Sequence, residues 1–517
     1  MKIATKFDFL VLGSGFGGTI TSMVLRQQGY SVALVEKGTH PRFAIGESST
    51  PFSNLLLEKL AVNFGLPILN SFSEWGRWQR EMPQISAGLK RGFSFFHHEP
   101  GITSVRERSK QLLVAASPND VVADTHWYRP EFDEFLVKTA QENGVIYFDS
   151  SIIQSCRHIK GSWTVSIARY GAVLNLSAGF IIDASGSNSF LANMFHIPNR
   201  RFEFMPQTCA VYAHFQNVHR FDQSSGFNSN LPYPPDDAAL HHVFRGGWIW
   251  VLRFNNGITS AGAALEDWLA TELNDSSEDA ENTWKRLLQR FPAIQAQFKQ
   301  AEAVTPFYFT NQLSFRRSEV AGESWAMLPS AAGFVDPLLS TGFPLTLLGI
   351  YRLGKVFQEK GPHLRKGDLT EYQAKTFAEM DTAADLISAL YFTMGSPEKF
   401  NLLALVYFAA MSFTETAWRL KKEELASSFL LAGDLNFSAG LKHLCNRARS
   451  GSAITPNDIS SVIENYDIAG LGDWSRNNYY DVRLSDLFEA RHKLGATTND
   501  LIILFEKLGL ESHLLRA

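Results

Sequence analysis

The first apolar run of the chain, residues 9–12, leads into a glycine-rich turn, a short helical segment and a second apolar run that ends at Glu36. Short apolar runs bounded by glycine are typical of buried parallel strands. The turn has Gly13, Gly15 and Gly18 at GxGxxG spacing. Such glycines let backbone N–H groups approach a pyrophosphate, and an acid about 20 residues on can accept from a ribose hydroxyl. The pattern predicts a dinucleotide site.

The pattern changes twice further along the chain. Residues 130–142 begin with proline and carry an apolar face at helical spacing, which predicts a crossover helix. Residues 203–265 contain short β-rich runs, and Asn-Gly at 256–257 between two such runs predicts a hairpin. From Leu369 onward the pattern is helical. We therefore expect an antiparallel sheet inserted into the nucleotide-binding fold, and a C-terminal helical region that covers it.

Composition narrows the range of partners. The chain has 517 residues and a net charge of −4, which favours two or three domains and gives no case for nucleic acid as a partner. Small molecules are the expected partners. Cys156, Cys209 and Cys445 are odd in number and lack CxxC spacing, which argues against a disulfide framework and a structural zinc site. We expect a cytoplasmic protein.

We expect no integral membrane segment, no signal peptide and no metal site. The longest apolar helical stretch, residues 402–413, is too short to span a bilayer and includes Ser412; a buried helix is favoured over one that rests on a membrane. The adjacent histidines at 97–98 and 241–242 point to opposite sides of a strand and belong to no spaced ligand cluster.

Three further segments carry a resemblance to a known family: HPRFAIGESSTP at 40–51, FIIDASGSNSFLA at 180–192, and LPSAAGFVDPLLSTGFPLTLLGIYRLGKV at 328–356. In sequence and order they are similar to the flavin-contacting segments of flavin-dependent halogenases. The resemblance implies an α/β fold of the FAD-binding, Rossmann-like (GR2/PHBH-type) class, with an inserted antiparallel β-sheet and a C-terminal helical region. It also implies that the dinucleotide is FAD.

The resemblance assigns a set of FAD-binding residues. They are Gly13, Gly15, Phe16, Gly17, Gly18, Glu36, Lys37, Arg42 (which precedes Phe43), Ser48, Arg129, Asp183, Ser330, Asp336, Gly342 and Phe343. One position departs from the family pattern, because Ser330 stands where the family usually has an Asp that bonds the ribityl chain. Serine can exchange a hydrogen bond but carries no charge. We expect weaker FAD affinity, which suits a protein supplied with reduced FAD by a separate reductase.

Lys90 is the predicted catalytic lysine. It lies in KRGFSF, which is similar to the family's K-x-G-x-x-F context. Halogenases form hypohalous acid from reduced FAD, O₂ and halide, and a lysine ammonium orients that oxidant toward the substrate. An ammonium can donate hydrogen bonds and shift its pKa when desolvated. The alternative is a surface lysine beside Arg91. Phe93, Phe95 and Phe96 could line a substrate tunnel, although core packing is the favoured role.

Trp248 and Trp250 are the second predicted catalytic feature. Family members carry W-x-W-x-I-P between flavin and substrate, and this chain has WIWVLR, with Leu252 and Arg253 in the last positions. Residues two apart on a strand share a face, so the two indoles can form an aromatic wall. The alternative is a core aromatic pair in a hairpin.

The third feature is a predicted anion site at Thr341 and Gly342. Residues 344–360 are predicted to form a helix that starts with proline and is closed by Gly361-Pro362. A helix N-terminus offers free N–H groups to an anion, and the resemblance implies that this turn holds halide. Tryptophan halogenases have Glu before Ser-Thr-Gly, whereas this chain has Leu339. Phenol- or pyrrole-type substrates are therefore favoured over tryptophan.

Together these features predict an FAD-dependent halogenase of an electron-rich phenol-, pyrrole- or indole-like substrate, either free or carrier-tethered. A flavin monooxygenase or desaturase is the second hypothesis, favoured by Arg253 and Ser330, and a flavin-binding protein without turnover is the third. The predicted domains are an FAD-binding domain at 1–200, with part of the substrate region at 75–125; a substrate-side sheet at 201–305; a return to the FAD-binding domain at 306–368; and a helical region at 369–517.

Overall fold

The computed structural model describes residues 5–159, 161–223, 230–273, 280–365 and 367–510. The strands in these ranges are β1 (Lys6–Leu12), β2 (Val32–Val35), β3 (Ala87–Lys90), β4 (Gly92–His97), β5 (Gln111–Ala115), β6 (Asp124–Trp127), β7 (Ile146–Phe148), β8 (Ser151–Ile159), β9 (Ser162–Arg169), β10 (Ala172–Asp183), β11 (Asn199–Arg200), β12 (Thr208–Gln216), β13 (Ala239–Phe244), β14 (Gly247–Arg253), β15 (Thr259–Glu266), β16 (Glu302–Ala303), β17 (Tyr308–Thr310), β18 (Phe315–Arg317), β19 (Trp325–Met327), β20 (Gly333–Phe334) and β21 (Tyr479–Tyr480).

The helices in the same ranges are α1 (Phe16–Gln27), α2 (Pro51–Phe64), α3 (Trp75–Glu81), α4 (Arg129–Glu142), α5 (Phe190–Met194), α6 (Asp267–Leu273), α7 (Ala280–Arg290), α8 (Pro292–Gln297), α9 (Pro329–Ala332), α10 (Gly342–Lys360), α11 (Thr370–Thr393), α12 (Pro397–Arg419), α13 (Leu435–Arg449), α14 (Pro456–Ile463), α15 (Leu484–Ala490) and α16 (Thr498–Lys507).

The first sheet has the predicted nucleotide-binding topology. Strands β7, β2, β1 and β10 lie side by side in parallel, and β19 adds to β10 in the same direction. The buried apolar residues of β1 and β2 explain this arrangement, since parallel strands are covered on both faces by helices. Strands β9 and β8 continue the sheet beyond β10 in antiparallel order.

The second sheet runs in the order β16, β12, β15, β14, β13, β4, β5, β21, with β17 also paired to β12. The predicted hairpin is confirmed, because β14 and β15 pair antiparallel across the turn that contains Gly257 at φ +81°. The sheet is mostly rather than wholly antiparallel. Strand β13 pairs in parallel with β4 and β21 in parallel with β5, because these partners come from distant parts of the chain and enter by long crossovers.

The C-terminal helices cover one face of the second sheet, as predicted. On α12 the ring of Phe400 lies 5.6 Å from that of Phe95, and the ring of Phe408 lies 5.1 Å from that of Phe93. These contacts show that Phe93 and Phe95 pack in the core, and neither they nor Phe96 lines the cavity described below. The C-terminal region also supplies β21, which the sequence pattern did not predict.

Helix α12 is longer than the apolar stretch at 402–413 suggested. In the part of the chain that the structure describes, it is the one helix whose 23 residues and composition would suffice to cross a membrane, but 83% of its most apolar window is buried. Aromatic and aliphatic side chains all around the helix are in contact with the rest of the protein. This burial is that of a core helix, as favoured from the sequence.

Two other helices differ slightly from expectation. The crossover helix α4 begins at Arg129, one residue before the predicted start, and α10 begins at Gly342, two residues before it. In both cases proline occupies the first turn rather than the first helical position, where its missing N–H is equally harmless. The α/β fold with its inserted sheet and helical region agrees with the prediction, while the domain boundaries stay a prediction.

Candidate active site

A cavity of about 1060 Å³ runs from the carboxyl ends of β1 and β2 to the face of the second sheet. The predicted site residues that line it are Gly13, Gly15, Phe16, Gly17, Glu36, Lys37, Arg42, Ser48, Arg129, Trp248, Trp250, Ser330, Thr341, Gly342 and Phe343. Lys90, Gly18, Asp183 and Asp336 are not among the lining residues. The cavity is somewhat larger than the ~300–1,000 Å³ of drug-sized ligand sites, and its length suits an extended ligand.

Two glycines shape the turn at the start of α1. Gly13 has φ +96°, a left-handed conformation that glycine adopts without strain. A Cβ atom on Gly18 would lie 1.9 Å from the carbonyl oxygen of Gly13, so only glycine lets the helix pack against the turn. Gly15 differs, because the nearest atom to its Cβ position is 3.5 Å away, on the Arg129 side chain. A Cβ atom on Gly15 would therefore meet its neighbours at ordinary contact distance, in a turn that lines the cavity.

Glu36 lies at the end of β2 and is buried. Its Oε2 atom accepts hydrogen bonds from the backbone N–H of Ser14 at 2.9 Å and from the Ser14 hydroxyl at 3.0 Å, and Arg42 lies 3.5 Å away. Burial alone would raise the pKa of Glu36, but these donors, with the N–H of Gly38, hold it below its ordinary value. Glu36 is therefore a carboxylate at the cavity wall, suited to accept from sugar hydroxyls.

The loop that follows Glu36 is fixed by Arg129, at the start of α4. The Arg129 guanidinium donates to both carboxylate oxygens of Asp133, at 2.7 and 2.8 Å, and to the carbonyl oxygen of Gly46 at 2.8 Å. In the same loop Phe43 stacks on Tyr308 of β17, with ring centroids 4.5 Å apart. Arg129 thus forms part of the cavity wall and also holds the loop in place.

Asp183 does not line the cavity but forms hydrogen bonds within the turn that follows β10. Its two carboxylate oxygens accept hydrogen bonds from the N–H and hydroxyl of Ser185, the hydroxyl of Ser189 and the N–H of Leu191. The turn after β10 is organised by these bonds. Ser330, on α9, lies at the cavity wall as expected for the residue that replaces the family's aspartate.

The N-terminus of α10 faces the cavity. Thr341 caps the helix without a side-chain hydrogen bond, and the first N–H groups of a helix have no partner within it. Ser340 precedes the cap in a left-handed conformation, with φ +54°. The turn 340–342 therefore presents backbone donors and the positive end of a helix dipole to the cavity, which is the chemistry of an anion site.

Lys90, the last residue of β3, is fully buried directly behind this turn. Its Nζ atom donates to the carbonyl oxygen of Ser49 at 2.5 Å and lies 3.5 Å from the hydroxyl oxygen of Ser340. Nζ also lies 3.9 Å from the ring centroid of Phe93. The alternative of a surface lysine is therefore wrong, and the lysine is connected to the cavity wall through Ser340.

Asp124 is the charged partner of Lys90. The two residues lie opposite each other in the antiparallel pair of β3 and β6. Burial lowers the pKa of Lys90 and raises the pKa of Asp124, because each charged form loses its hydration, and the attraction between the two opposes both shifts. One Asp124 oxygen accepts from the amide of Asn54 at 2.8 Å, while the other has no partner among the described residues. The Lys90 ammonium thus releases its proton more readily than an exposed lysine.

The tryptophan pair forms a wall of the cavity. Trp248 and Trp250 point to the same side of β14, with ring centroids 5.7 Å apart. The Trp250 indole lies across Gly262 of β15, where a Cβ atom would be 2.4 Å from the ring. Both tryptophans are also buried, so they contribute to the core as well as to the cavity.

Arg253 does not place a charge in the cavity. Its guanidinium pairs with the buried Asp236 at 2.7 Å and donates to the carbonyl oxygen of Val218 at 2.9 Å. The Arg253 backbone has a separate role, because its carbonyl oxygen would lie 1.9 Å from a Cβ atom on Gly88. Because residue 88 is glycine, β3 can pack closely against the end of β14, the strand that carries Trp248 and Trp250. This packing brings Lys90, at the end of β3, near that strand.

A buried hydrogen-bond chain supports the wall from behind. The indole N–H of Trp248 donates to the hydroxyl of Tyr391 on α11 at 3.1 Å, and that hydroxyl donates to Asp336 at 2.8 Å. The other Asp336 oxygen accepts from the N–H of Leu338 at 3.0 Å. Burial raises the pKa of Asp336 to about 7, although these hydrogen bonds oppose the shift. Asp336 thus links the segment before α10 to the tryptophan wall.

Sequence reasoning missed three residues of the site. Asp124 and Tyr391 contact Lys90 and Trp248 only after strands and helices from distant parts of the chain have packed, and no local motif marks them. His241 was noted as one of a pair, but the structure places it on the cavity wall opposite Trp250 in the β13–β14 pair. Its signal was strand alternation, which puts His241 on the face opposite to that of His242. Within the described ranges no cluster of ligating side chains suits a metal ion.

Much of the chain is similar in sequence to known halogenases. Residues 116–399, more than half of the chain, match the model of the family described as tryptophan halogenase. Among curated relatives, monodechloroaminopyrrolnitrin halogenase PrnC of Pseudomonas fluorescens is 30% identical over 356 residues, covering 68% of this chain and 61% of the relative. Tetracycline 7-halogenase of Kitasatospora aureofaciens is 28% identical over 350 residues, covering 66% of this chain and 61% of the relative. The chain thus aligns with less than two thirds of either relative.

A solved structure shares the fold. The halogenase PltM, crystallised with phloroglucinol and FAD, superposes with a TM-score of 0.80 at 22% identity, covering 91% of this chain and 99% of PltM. The cavity, the glycine-rich turn and the buried lysine thus occur in a fold that halogenases use. With the family match over more than half of its length, the chain belongs to the flavin-dependent halogenase family.

Proposed function

We propose that the protein is an FAD-dependent halogenase of an electron-rich aromatic substrate, with reduced FAD, O₂ and halide as co-substrates. The observation that carries the proposal is the position of Lys90. Lys90 is fully buried, and its Nζ atom lies 3.5 Å from the hydroxyl oxygen of Ser340, next to the proposed anion-binding turn of α10. Burying a charge is costly, so such groups are concentrated at functional sites.

The cavity residues fit FAD. Gly15 leaves room for a pyrophosphate beside the N-terminus of α1, and Glu36 offers a carboxylate to a ribose. The N-terminus of α10 suits the flavin end. Bound reduced FAD would supply the electrons by which O₂ and halide give hypohalous acid and water. Ser330, where the family has aspartate, favours weak retention of the cofactor and exchange with a separate flavin reductase.

The chain's own residues then direct the oxidant. The backbone N–H groups at Thr341 and Gly342 are proposed to hold halide, and the Lys90 ammonium to donate a hydrogen bond to the hypohalous acid. The acid transfers its halogen to a ring carbon of the substrate, that carbon loses its proton, and water is released. Trp248 and Trp250 line the cavity and are proposed to keep bulk water away from the oxidant.

The substrate is proposed to be a phenol-, pyrrole- or indole-like aromatic. The names of the two curated relatives refer to an aminopyrrolnitrin and to tetracycline, and PltM was crystallised with phloroglucinol. Leu339 is buried and apolar, which disfavours a tryptophan-specific site that depends on glutamate at this position. Both free and carrier-tethered substrates are compatible with the cavity. A cytoplasmic location also stays a prediction.

A flavin monooxygenase or desaturase is the second hypothesis. It was favoured by Arg253 and Ser330, but the Arg253 side chain pairs with Asp236 and does not line the cavity. Only Ser330 now favours it. A flavin-binding protein without turnover is the third hypothesis, and the buried charge of Lys90 argues against it.

The test compares Lys90→Met with Lys138→Met, a change on the exposed face of α4. Methionine matches the length of lysine, and Asp124 can take up a proton when its partner is lost. With reduced FAD, O₂ and bromide, the Lys90 variant should bind FAD and consume O₂ as the wild type does. It should lose halogenated product by at least about 100-fold, as expected for loss of a proton donor. The Lys138 variant should retain product.

Three results would contradict the proposal. Full halogenation by Lys90→Met would show that Lys90 is not needed for halogenation. Hydroxylated product from the wild type without halide would favour the monooxygenase, and no turnover with any acceptor would favour the binding protein.

A further inference from the structure

His241 occupies a distinctive place on the cavity wall. It lies in the middle of β13, and its ring is held between Phe95, with centroids 4.5 Å apart, and Trp248, at 5.3 Å. The residue is only 2% exposed, yet it lines the cavity beside the tryptophan pair. A polar ring at this position must satisfy its nitrogens either within the protein or with a ligand.

The hydrogen bonding fixes which ring nitrogen carries the proton. Nδ1 lies 3.3 Å from the carbonyl oxygen of Ser94 on β4, and a carbonyl oxygen can only accept, so Nδ1 is the protonated nitrogen. Burial and the charge of Lys90 lower the pKa of His241 to about 3, so the ring is neutral at ordinary pH. Nε2 is therefore an acceptor. The hydrogen bond that the ring makes to the described residues is the one at Nδ1. The carbonyl groups of Ser94 and Ala239 both oppose the lowering of its pKa, and neither supplies a donor to Nε2.

An acceptor without a partner in an apolar cavity selects one kind of ligand group. A halide or a carboxylate would be repelled by the Nε2 lone pair, whereas a hydroxyl or ring N–H would be bound. We propose that His241 Nε2 accepts a hydrogen bond from the hydroxyl or ring N–H of the aromatic substrate, and so selects aromatics that carry such a donor. This inference rests on the proposed halogenase function and names a specificity-determining residue for it.

The neighbours of His241 make the contact useful for the reaction. The Phe93 ring stacks beside His241 at 5.9 Å and also lies 3.9 Å from the Nζ atom of Lys90. A substrate anchored by its donor group at His241 would therefore lie on the side of the cavity behind which Lys90 is buried. Electron-rich aromatics react at carbons ortho or para to a hydroxyl, so this anchor would turn an activated carbon toward the oxidant.

The matched control lies one residue away. His242 points to the opposite side of β13, where its Nδ1 and Nε2 atoms lie 2.9 Å from His98 and Gln297. The test compares His241→Phe, which keeps the ring stacking but removes the acceptor, with His242→Asn. Wild type and variants, loaded with FAD, are titrated with phenol and with its methyl ether by quenching of tryptophan fluorescence. Pyrrole and N-methylpyrrole form a second arm, which separates hydroxyl from ring N–H recognition.

We expect the wild type to prefer the donor over its methylated analogue by roughly tenfold in at least one arm, the value of one hydrogen bond. His241→Phe should bind the donor and its methylated analogue with about equal affinity, and its affinity for the methylated analogue should be close to that of the wild type. His242→Asn should retain the preference of the wild type. An unchanged preference in His241→Phe, or no preference in the wild type, would overturn the inference. Because binding is measured without turnover, failure of halogenation itself would appear separately, as absence of product from the wild type.

Discussion

The Trp248 indole N–H and the Tyr391 hydroxyl are joined by a hydrogen bond of 3.1 Å, which connects the second sheet to the C-terminal helical region. Both side chains are buried, and the Tyr391 hydroxyl in turn donates a hydrogen bond to Asp336 at 2.8 Å. A buried group that loses its partner pays the full desolvation penalty. The orientation of the tryptophan wall therefore depends on a helix that lies outside the nucleotide-binding fold.

The first prediction concerns Tyr391→Phe. The change leaves the Trp248 N–H without its acceptor and one Asp336 oxygen without its donor, so we expect unfolding free energy to fall by about 1–3 kcal/mol. Urea unfolding followed by circular dichroism measures this. Tyr170→Phe is the control, because Tyr170 is 73% exposed and its hydroxyl bonds Asp149 at the surface. Equal effects of the two changes would show that the buried chain contributes nothing to stability.

The second prediction concerns the pH dependence of stability. The folded-state pKa of Asp336 is raised to about 7, above its ordinary value of 3.8. The folded protein therefore holds a proton that the unfolded chain releases, and the contribution of Asp336 to stability declines as pH rises through this interval. Between about pH 5 and about pH 8, the wild type should lose about 2–3 kcal/mol relative to Asp336→Asn.

Urea midpoints of both proteins, measured without FAD across this pH range, provide the test. Subtracting the stability of the variant from that of the wild type at each pH removes the contributions of groups that titrate in both proteins. A difference that stays flat, or that grows in favour of the wild type as pH rises, would show that Asp336 is ionised in the folded protein.

The third prediction is that Gly15 and Gly18, in the same turn, have different roles, one in FAD binding and the other in stability. Gly15→Val should leave the fold intact, because a Cβ atom on Gly15 would be 3.5 Å or more from its neighbours, but should abolish FAD binding by blocking the pyrophosphate. Gly18→Ala should instead destabilise the fold by about 1–3 kcal/mol, since its Cβ atom would overlap the Gly13 carbonyl. FAD titration and thermal unfolding distinguish the two effects. FAD affinity unchanged in Gly15→Val would contradict the assignment of the site.

The fourth prediction tests the turn at Thr341 and Gly342. Gly342→Pro removes a backbone N–H from the proposed halide site, whereas Gly342→Ala keeps it and brings its Cβ atom no closer than 3.6 Å to Phe334. We expect the proline variant to need roughly tenfold more bromide for half-maximal product formation, and the alanine variant and Thr341→Ser to resemble the wild type.

The measurement is product formation against bromide concentration, with FAD affinity determined in parallel. Loss of FAD affinity in the proline variant alone would point to distortion of α10 rather than to loss of a halide donor. If the wild-type rate of product formation does not depend on bromide concentration, oxygenation or dehydrogenation would replace halogenation as the assigned reaction.

Local patterns in the sequence were sufficient for the parts of the fold that form from neighbouring residues. Asn-Gly predicted the β14–β15 hairpin because glycine adopts, without strain, the left-handed conformation that Gly257 has in this turn. The glycine-rich turn likewise predicted the start of the first sheet. The parallel pairing of β13 with β4 was not predictable, since it joins segments with no local relationship.

In the candidate site, too, local motifs predicted some residues, while others depend on long-range packing. Motifs identified Lys90 and Trp248, but the groups that determine their chemistry come from elsewhere: Asp124 through the pairing of β3 with β6, and Tyr391 through helix packing. The burial of Lys90 was also not deducible, because KRGFSF is equally compatible with an exposed lysine. Its environment depends on the close approach of Gly88 to β14, which is a property of the packed structure.

The short strand β21 has a consequence for the order of folding. It pairs with β5 through Tyr479 and Tyr480, and the Tyr479 hydroxyl bonds Gln111 across a separation of 368 residues. Until the ribosome has released this part of the chain, β5 presents an open sheet edge, a known route to aggregation. The sheet that carries the tryptophan wall can therefore be completed only after Tyr479 and Tyr480 have left the ribosome, and until then its open edge makes the growing chain a candidate for chaperone protection.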